Sequence, residues 1–262
     1  MKALFFAAFA VYAVAVILQF SGTAFKRDKL LGAAWYVFLG AFALHTLFLI
    51  VRGVAAKRLP LSNQFEFANA FAWGVALMLV VMRARLRTDW LTVAAMPAVL
   101  LVMVYAALQP MEIHDLMPAL RSAWFGVHIG SAVLSYSAFV IAGSISLRYL
   151  IAVRKGSADE RALGQMDYLS YRMVAFGFLF LTVVLLSGAI WAEQAWSAFW
   201  TWDPKEVWAL ITWLIYAVYL HLRLRMKKRG TAMAWFLVIA VPVVFFTFAG
   251  VNTLMHGLHT YG

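Results

Sequence analysis

The chain has 262 residues, of which 65% are hydrophobic and only 13% charged. This composition excludes a water-soluble globular protein, because a soluble domain is nearer half apolar and a quarter charged. The net charge of +11 does not indicate nucleic-acid binding, since the basic residues lie in short loops between long apolar runs. The absence of cysteine excludes disulfides, thiolate metal sites and thiol exchange.

The apolar runs have the ~20-residue length that a helix needs to cross the hydrocarbon core of a bilayer. Helices satisfy their own backbone hydrogen bonds in lipid, and the runs lack the alternation of a β-barrel. We therefore predict an all-α bundle of about eight transmembrane spans, forming a single transmembrane domain over residues 1–262. The predicted spans are about 3–20, 32–52, 65–82, 90–108, 124–153, 172–191, 204–225 and 233–251.

The first span could instead be a signal peptide, since Lys2 precedes its apolar stretch. The basic cluster from Lys26 to Lys29 follows that stretch directly, which favours a retained span with a cytoplasmic stop.

Lysine and arginine are divided unequally between alternate loops. One set of loops carries 16 of the 22, around residues 26–29, 83–87, 148–172 and 223–229. By the positive-inside rule these loops are cytoplasmic. Both termini and the loops 53–64, 109–123 and 192–203 are then predicted to lie on the outer side.

Tryptophan is concentrated in one outer segment. Six of the 11 tryptophans fall between Trp191 and Trp213, in the stretch WAEQAWSAFWTWDPKEVWALITW. An interfacial aromatic belt accounts for one or two tryptophans per helix end, but not for six in 23 residues. A flat apolar ligand would account for them, because large rings provide stacking area with little loss of entropy.

The helix after this segment has a clear start. Asp203 suits the N-cap, Pro204 the first helical position and Glu206 the third, which together resemble a capping box. We favour this capping role for Asp203 and Glu206 over an acid–base carboxylate pair. Asp203 also remains a candidate contact for the ligand.

Histidine is rare within membrane helices and is the usual axial ligand of haem iron. His128 lies near the outer end of the fifth span and His259 beyond the outer end of the eighth, so both flank the tryptophan segment. This placement predicts a bis-histidine haem site with an aromatic platform. The predicted platform residues are Trp196, Trp200, Trp202 and Trp208.

His221 lies about 25 Å along the helix from Pro204, close to the inner surface, so it is too distant for the outer site. It either ligates a second haem or meets the last carbonyls of its helix, and depth alone favours neither. His45 lies at a different depth in the membrane from His221, and one haem needs both imidazoles at nearly the same depth. We therefore predict a packing or hydrogen-bonding role for His45. His114 is expected to be solvated in a loop, and His256 is an alternative outer ligand if the tail is helical.

Several motifs occur in an order that resembles the CcsA (ResC) family of System II cytochrome c synthetases, over about residues 58–262. The tryptophan segment, about 191–208 on the outer side, resembles the "WWD" signature of haem-handling proteins. The other motifs are RLPLSNQFE at 58–66, LMPALRSAWFGVHIGSAVLSYSAF around His128, the two stretches flanking the tryptophan segment and GVNTLMHGLHTYG at the C-terminus.

The resemblance implies a haem-handling subunit of a holocytochrome c synthase in a bacterial inner membrane or thylakoid membrane. Haem b would pass to an outer site held by His128 and His259, and then be attached to the CxxCH thiols of apocytochrome c. His221 would ligate the inner haem iron with a histidine from a second chain, CcsB (ResB). His256 and Thr260 depart from the residues usual in the family at these positions.

Two other functions compete with this interpretation. A membrane cytochrome carrying electrons through two fixed haems would need ligands paired within one chain, and a transporter of another solute would not explain the histidines. No general base is evident, and the catalytic residues are not predicted. The candidates for holding the haem propionates are Arg121, Lys205 and Asn252.

Overall fold

The computed structural model describes residues 1–86 and 88–255. The described residues form helices and loops and contain no strand. Within these described ranges, eight helices are long and apolar enough to cross a membrane, which confirms the predicted all-α fold and the number of spans. The long helices are α1 (Lys2–Ala24), α2 (Asp28–Ala56), α3 (Gln64–Leu86), α4 (Thr92–Ala107), α5 (Ala123–Lys155), α6 (Glu160–Trp196), α7 (Pro204–Leu224) and α8 (Thr231–Phe245).

Shorter elements extend two of these spans. A 3₁₀ turn, Asp89–Leu91, precedes α4, and α8 continues through a π-helical turn, Phe246–Gly250, into α9, Val251–Leu254. A second 3₁₀ turn, Pro118–Leu120, lies before α5.

Helix α6 begins about 12 residues earlier than the apolar run indicates. The Asp159 carboxylate caps it by accepting from the amide of Ala162 at 2.7 Å. Farther along this polar part of α6, Asp167 forms a paired ion bridge with Arg223 of α7, at 3.0 and 2.6 Å. Capping by Asp159 and the ion pair between Asp167 and Arg223 therefore stabilise the part of α6 that precedes the predicted apolar run at 172–191.

The chain divides into two compact units, Met1–Asp115 and Leu116–Gly262. In the first unit, α1 packs on α2 and α4, and α3 packs on α4. Its interior is rich in aromatic rings, with Phe5, Tyr12, Phe38, Phe48 and Phe65 all almost fully buried. The prediction of one transmembrane domain over residues 1–262 stays a prediction.

Two loops of the first unit meet at a buried carboxylate, Glu66. It accepts from Arg52 at 2.9 Å and from Arg58 at 2.7 Å, and the backbone and hydroxyl of Ser62 also donate to it. Arg52 also donates to the carbonyls of Met111 and Glu112. The motif RLPLSNQFE therefore ties the loop before α3 to the loop after α4.

In the second unit, α5 packs along α6 and against α8, and α7 packs on α6 and α8. Small polar residues allow the close approach of α5 and α6, as where the Ser135 hydroxyl donates to the carbonyl of Gly177 at 2.8 Å. At the other end of the unit, Asp167 also accepts from the amide of Gly230, which joins the start of α8 to the ion pair with Arg223.

The predicted topology places both termini and the tryptophan segment on the outer side. Reporter domains fused after Lys29, Arg87, Lys155 and Arg229 are therefore expected to report cytoplasm, because each fusion point lies in a strongly basic loop. A periplasmic reading at any two of these positions would contradict the topology.

Candidate functional site

His128 lies in the second turn of α5, within the second unit. Its Nδ1 atom is 2.9 Å from the carbonyl oxygen of Val184 on α6. A carbonyl only accepts, so Nδ1 carries the proton and donates, and the lone pair of the neutral ring is on Nε2. A histidine that ligates a metal commonly donates its other ring N–H in this way, which fixes both the tautomer and the ring orientation.

Two residues of α6 position this imidazole. The Trp191 ring lies against it with a centroid distance of 5.7 Å, and Gly188 provides the space it occupies. A Cβ on Gly188 would lie 2.9 Å from both Cε1 and Nδ1 of His128. Neither residue was among the predicted site residues, although SGAIW lies immediately before the tryptophan segment.

Trp191 is a buried anchor of the site, with only 1% of its surface exposed. Its indole N–H donates to the carbonyl of Ala119 at 2.7 Å, and its ring contacts Phe125 and Trp196 at centroid distances of 5.4 and 5.1 Å. Trp191 therefore links the loop before α5 to the end of α6, with His128 beside it.

The four predicted platform tryptophans fall into three sets of ring contacts. Trp196 contacts Trp191 and so joins the His128 cluster. Trp200 and Trp202 meet edge to face at 5.9 Å, and Trp202 is 72% exposed. Trp208 packs on Phe246 at 4.3 Å. Trp196 is thus the platform residue that these contacts connect to His128.

The predicted capping box at the start of α7 is confirmed. Asp203 accepts from the amide of Lys205 at 2.9 Å, and Glu206 accepts from the amides of Asp203 and Thr201 at 3.2 and 2.8 Å. Both carboxylates thus accept from the backbone amides that a helix start leaves unpaired, as a capping role requires. The role of Asp203 in contacting a cofactor stays a prediction.

Two of the residues predicted to hold propionates come together. The ammonium of Lys205 at the start of α7 donates to the side-chain oxygen of Asn252 on α9. The π-helical turn Phe246–Gly250 directly precedes α9, and π-turns often occur at functional sites. Arg121, the third candidate, is exposed and donates to the carbonyl of Leu116.

His221 lies in the last turn of α7 and is exposed. The exposed residues Leu214 and Val218 lie seven and three positions before it, so all three share one face of the helix. The opposite face carries the buried residues Tyr216, Tyr219 and Arg223, which pack into the unit.

The other histidines are placed as follows. His114 is exposed in a loop, as predicted, and His45 is fully buried, packing on Tyr12 and Phe48. The packing or hydrogen-bonding role predicted for His45 stays a prediction, and its burial between these rings is compatible with it. His256 and His259 lie outside the described residues, as does Thr260.

Comparison with known proteins gives the family. Residues 61–259 match the family described as cytochrome c assembly protein. The chain is 30% identical over 280 residues to the cytochrome c biogenesis protein CcsA of Guillardia theta, covering 95% of this chain and 92% of that protein. It is 36% identical over 230 residues to CcsA of Chlamydomonas reinhardtii, covering 84% of this chain and 65% of that protein. The chain belongs to the CcsA family.

The fold is also similar to a solved structure, the cytochrome c haem lyase CcmF, with a TM-score of 0.74 at 14% identity. The match covers 99% of this chain and 47% of CcmF, so the chain spans about half the length of that protein. Membership of CcsA and the eight apolar helices identify a multi-pass membrane protein of cytochrome c biogenesis.

Gly188→Ala is expected to lower cytochrome c yield strongly, because its methyl group would displace the His128 ring. A misplacement of ~1 Å at a reacting site can cost about 10²-fold in rate. The matched control is Gly130→Ala on α5, where a Cβ would meet nothing within 4 Å. Cytochrome c yield measured by haem staining should fall for Gly188→Ala alone, and equal yields would show that the ring tolerates the shift.

Proposed function

We propose that this chain binds haem b at the outer end of its second unit and presents it for attachment to apocytochrome c. In this proposal His128 and His259 are the axial ligands, and the segment around residues 191–208 contacts the macrocycle. Membership of CcsA supports a role in cytochrome c biogenesis, and haem binding by these residues is the part that we propose.

The observation that carries the proposal is the orientation of His128. Its Nδ1–H is engaged by the carbonyl of Val184, and Trp191 and Gly188 bound the ring. Such a ring offers Nε2 to a metal in a single orientation, at little entropic cost.

The residues proposed for this site suit a large, flat, mostly apolar ligand with anionic groups. Trp191 and Trp196 supply ring surface beside the imidazole. Lys205 and Asn252, which are already in contact, would supply a cation and an amide for the propionates. Carboxylates pair well with such charged donors where water is largely excluded.

The chemistry asks the protein mainly to position its reactants. Each cysteine S–H of the acceptor would add across a vinyl group, forming a thioether with no leaving group. Holding the vinyl edge against the two thiols could contribute ~7–11 kcal/mol of the barrier. The acceptor's own CxxCH histidine would then replace one of the protein ligands on the iron.

We further propose that His221 ligates an inner haem together with a histidine from CcsB. Its place on the exposed face of α7, beside Leu214 and Val218, supports a ligand pair completed by another chain.

Haem content tests this proposal. In the complex purified with CcsB, His221→Ala is expected to lower the haem bound per chain, because the inner iron loses one ligand. His114→Ala is the matched control, since His114 is exposed in a loop and its loss is not expected to disturb the fold. The pyridine haemochrome assay measures both. An equal loss in the two variants would contradict the assignment of the inner ligand.

A further inference from the structure

A group of unpaired polar atoms lies inside the first unit, away from the residues assigned to haem. Tyr12 of α1, His45 of α2 and Asn69 of α3 are 1%, 0% and 0% exposed. The Tyr12 hydroxyl, both ring nitrogens of His45 and the side-chain oxygen of Asn69 have no hydrogen-bond partner. Three helices thus each contribute a buried polar group whose hydrogen-bonding capacity is unused.

The three side chains adjoin one another. The Tyr12 and His45 rings meet edge to face at a centroid distance of 5.9 Å, and the Asn69 side chain lies beside the His45 ring. Phe38 and Phe48 pack around this group. The polar atoms are therefore surrounded by apolar rings.

Leaving these atoms unpaired would be costly. A buried donor or acceptor without a partner costs ~1–3 kcal/mol, and more in an apolar environment. Asn69 already uses its amide N–H on the carbonyl of Phe65, so its oxygen needs a donor. Neutral His45 has one donor and one acceptor, and the Tyr12 hydroxyl can serve as either.

We propose that Tyr12, His45 and Asn69 form a binding site for a water molecule within the first unit. Water donates two hydrogen bonds and accepts two, so it would donate to Asn69 Oδ1 and to the bare nitrogen of His45 while accepting from the Tyr12 hydroxyl. Buried waters in proteins typically make about three hydrogen bonds to otherwise unpaired groups. A haem at this position is disfavoured by the packing of Phe38 and Phe48 around the rings.

The site has a structural consequence. Polar groups that bridge membrane helices stabilise their association, although each bond contributes only about 0.6–2 kcal/mol. A shared water would tie α1, α2 and α3 together at one point, and removal of one polar group would leave the other two in need of a partner.

X-ray hydroxyl-radical footprinting of the intact protein tests the site, because radicals form from water where it is bound. Tyr12 and His45 are expected to be oxidised several-fold faster than Phe5 and Phe38, which are also fully buried. Asn69→Leu should lower the labelling of Tyr12. Labelling of Tyr12 and His45 no faster than that of the buried phenylalanines would overturn the proposal.

Thermal unfolding in detergent gives a second test that does not depend on labelling chemistry. Tyr12→Phe, His45→Leu and Asn69→Leu should each destabilise the protein. The triple variant should lose less stability than the sum of the losses in the three single variants. This non-additivity follows from a shared partner. Strictly additive effects would show three independent packing positions and would also overturn the proposal.

Discussion

Replacing His128 with glycine is expected to abolish cytochrome c maturation in cells that depend on this chain, and added imidazole should restore part of it. The substitution removes an axial ligand and leaves a space beside Trp191 and Gly188 that a small ligand can enter. Imidazole would then supply the nitrogen that His128 supplied, since neutral imidazole is a common ligand of haem iron.

His114→Ala is the matched control for this experiment. His114 is exposed in a loop, and its side chain has no role in the proposed site. Haem staining of the mature cytochrome should show normal yield for this variant with or without imidazole. A normal yield in His128→Gly without imidazole, or a loss that imidazole never relieves, would count against direct ligation by His128.

Replacing Glu66 with alanine is expected to cause a large loss of stability, of about 3–5 kcal/mol. Glu66 is fully buried and is paired with Arg52, whose side chain is 2% exposed. Removing one partner of a buried ion pair leaves the other charge uncompensated, and the cost is in this range. Arg58 and Ser62 would also lose their acceptor.

Lys2→Ala is the matched control for Glu66→Ala. It breaks the ion pair with Glu112, whose two side chains are 67% and 57% exposed, and exposed pairs contribute little. Thermal unfolding in detergent should show a large fall in midpoint for Glu66→Ala and almost none for Lys2→Ala. Similar midpoints in the two variants would show that the buried cluster does not stabilise the loops before α3 and after α4.

The sequence predicted the features that depend on local pattern. Eight apolar runs of spanning length correspond to eight helices, and the residues from Asp203 to Glu206 form the capping box that their spacing indicates. Both features depend on interactions within a few residues along the chain, so they can be predicted from the sequence alone.

Features that depend on helix packing were not predictable. The hydrogen bond from His128 to the carbonyl of Val184 joins residues 56 positions apart, and Gly188 matters only because α6 faces His128. The motif at 58–66 was recognised, but its role depends on Arg52 in another helix. Membrane helices with apolar residues on every side give little periodicity from which such facing pairs could be deduced.

Trp191 was predicted as part of the tryptophan segment but not as one of the four platform residues. The prediction used the number of tryptophans in the segment. That number does not show which rings are buried, as Trp191 is, and which are exposed, as Trp202 is. Burial depends on tertiary packing, and here the carbonyl of Ala119 and the ring of Phe125 hold Trp191 inside the unit.

The central claim, that this chain presents haem for covalent attachment, is tested most directly by mass spectrometry of an acceptor. The complex purified with CcsB would be supplied with haem and an apocytochrome c carrying one CxxCH motif. The proposal predicts an acceptor whose mass rises by one haem through two thioether bonds, and a much lower yield with His128→Gly. An acceptor that stays unmodified while the complex binds haem and cycles between oxidised and reduced states would contradict it and would favour a membrane cytochrome.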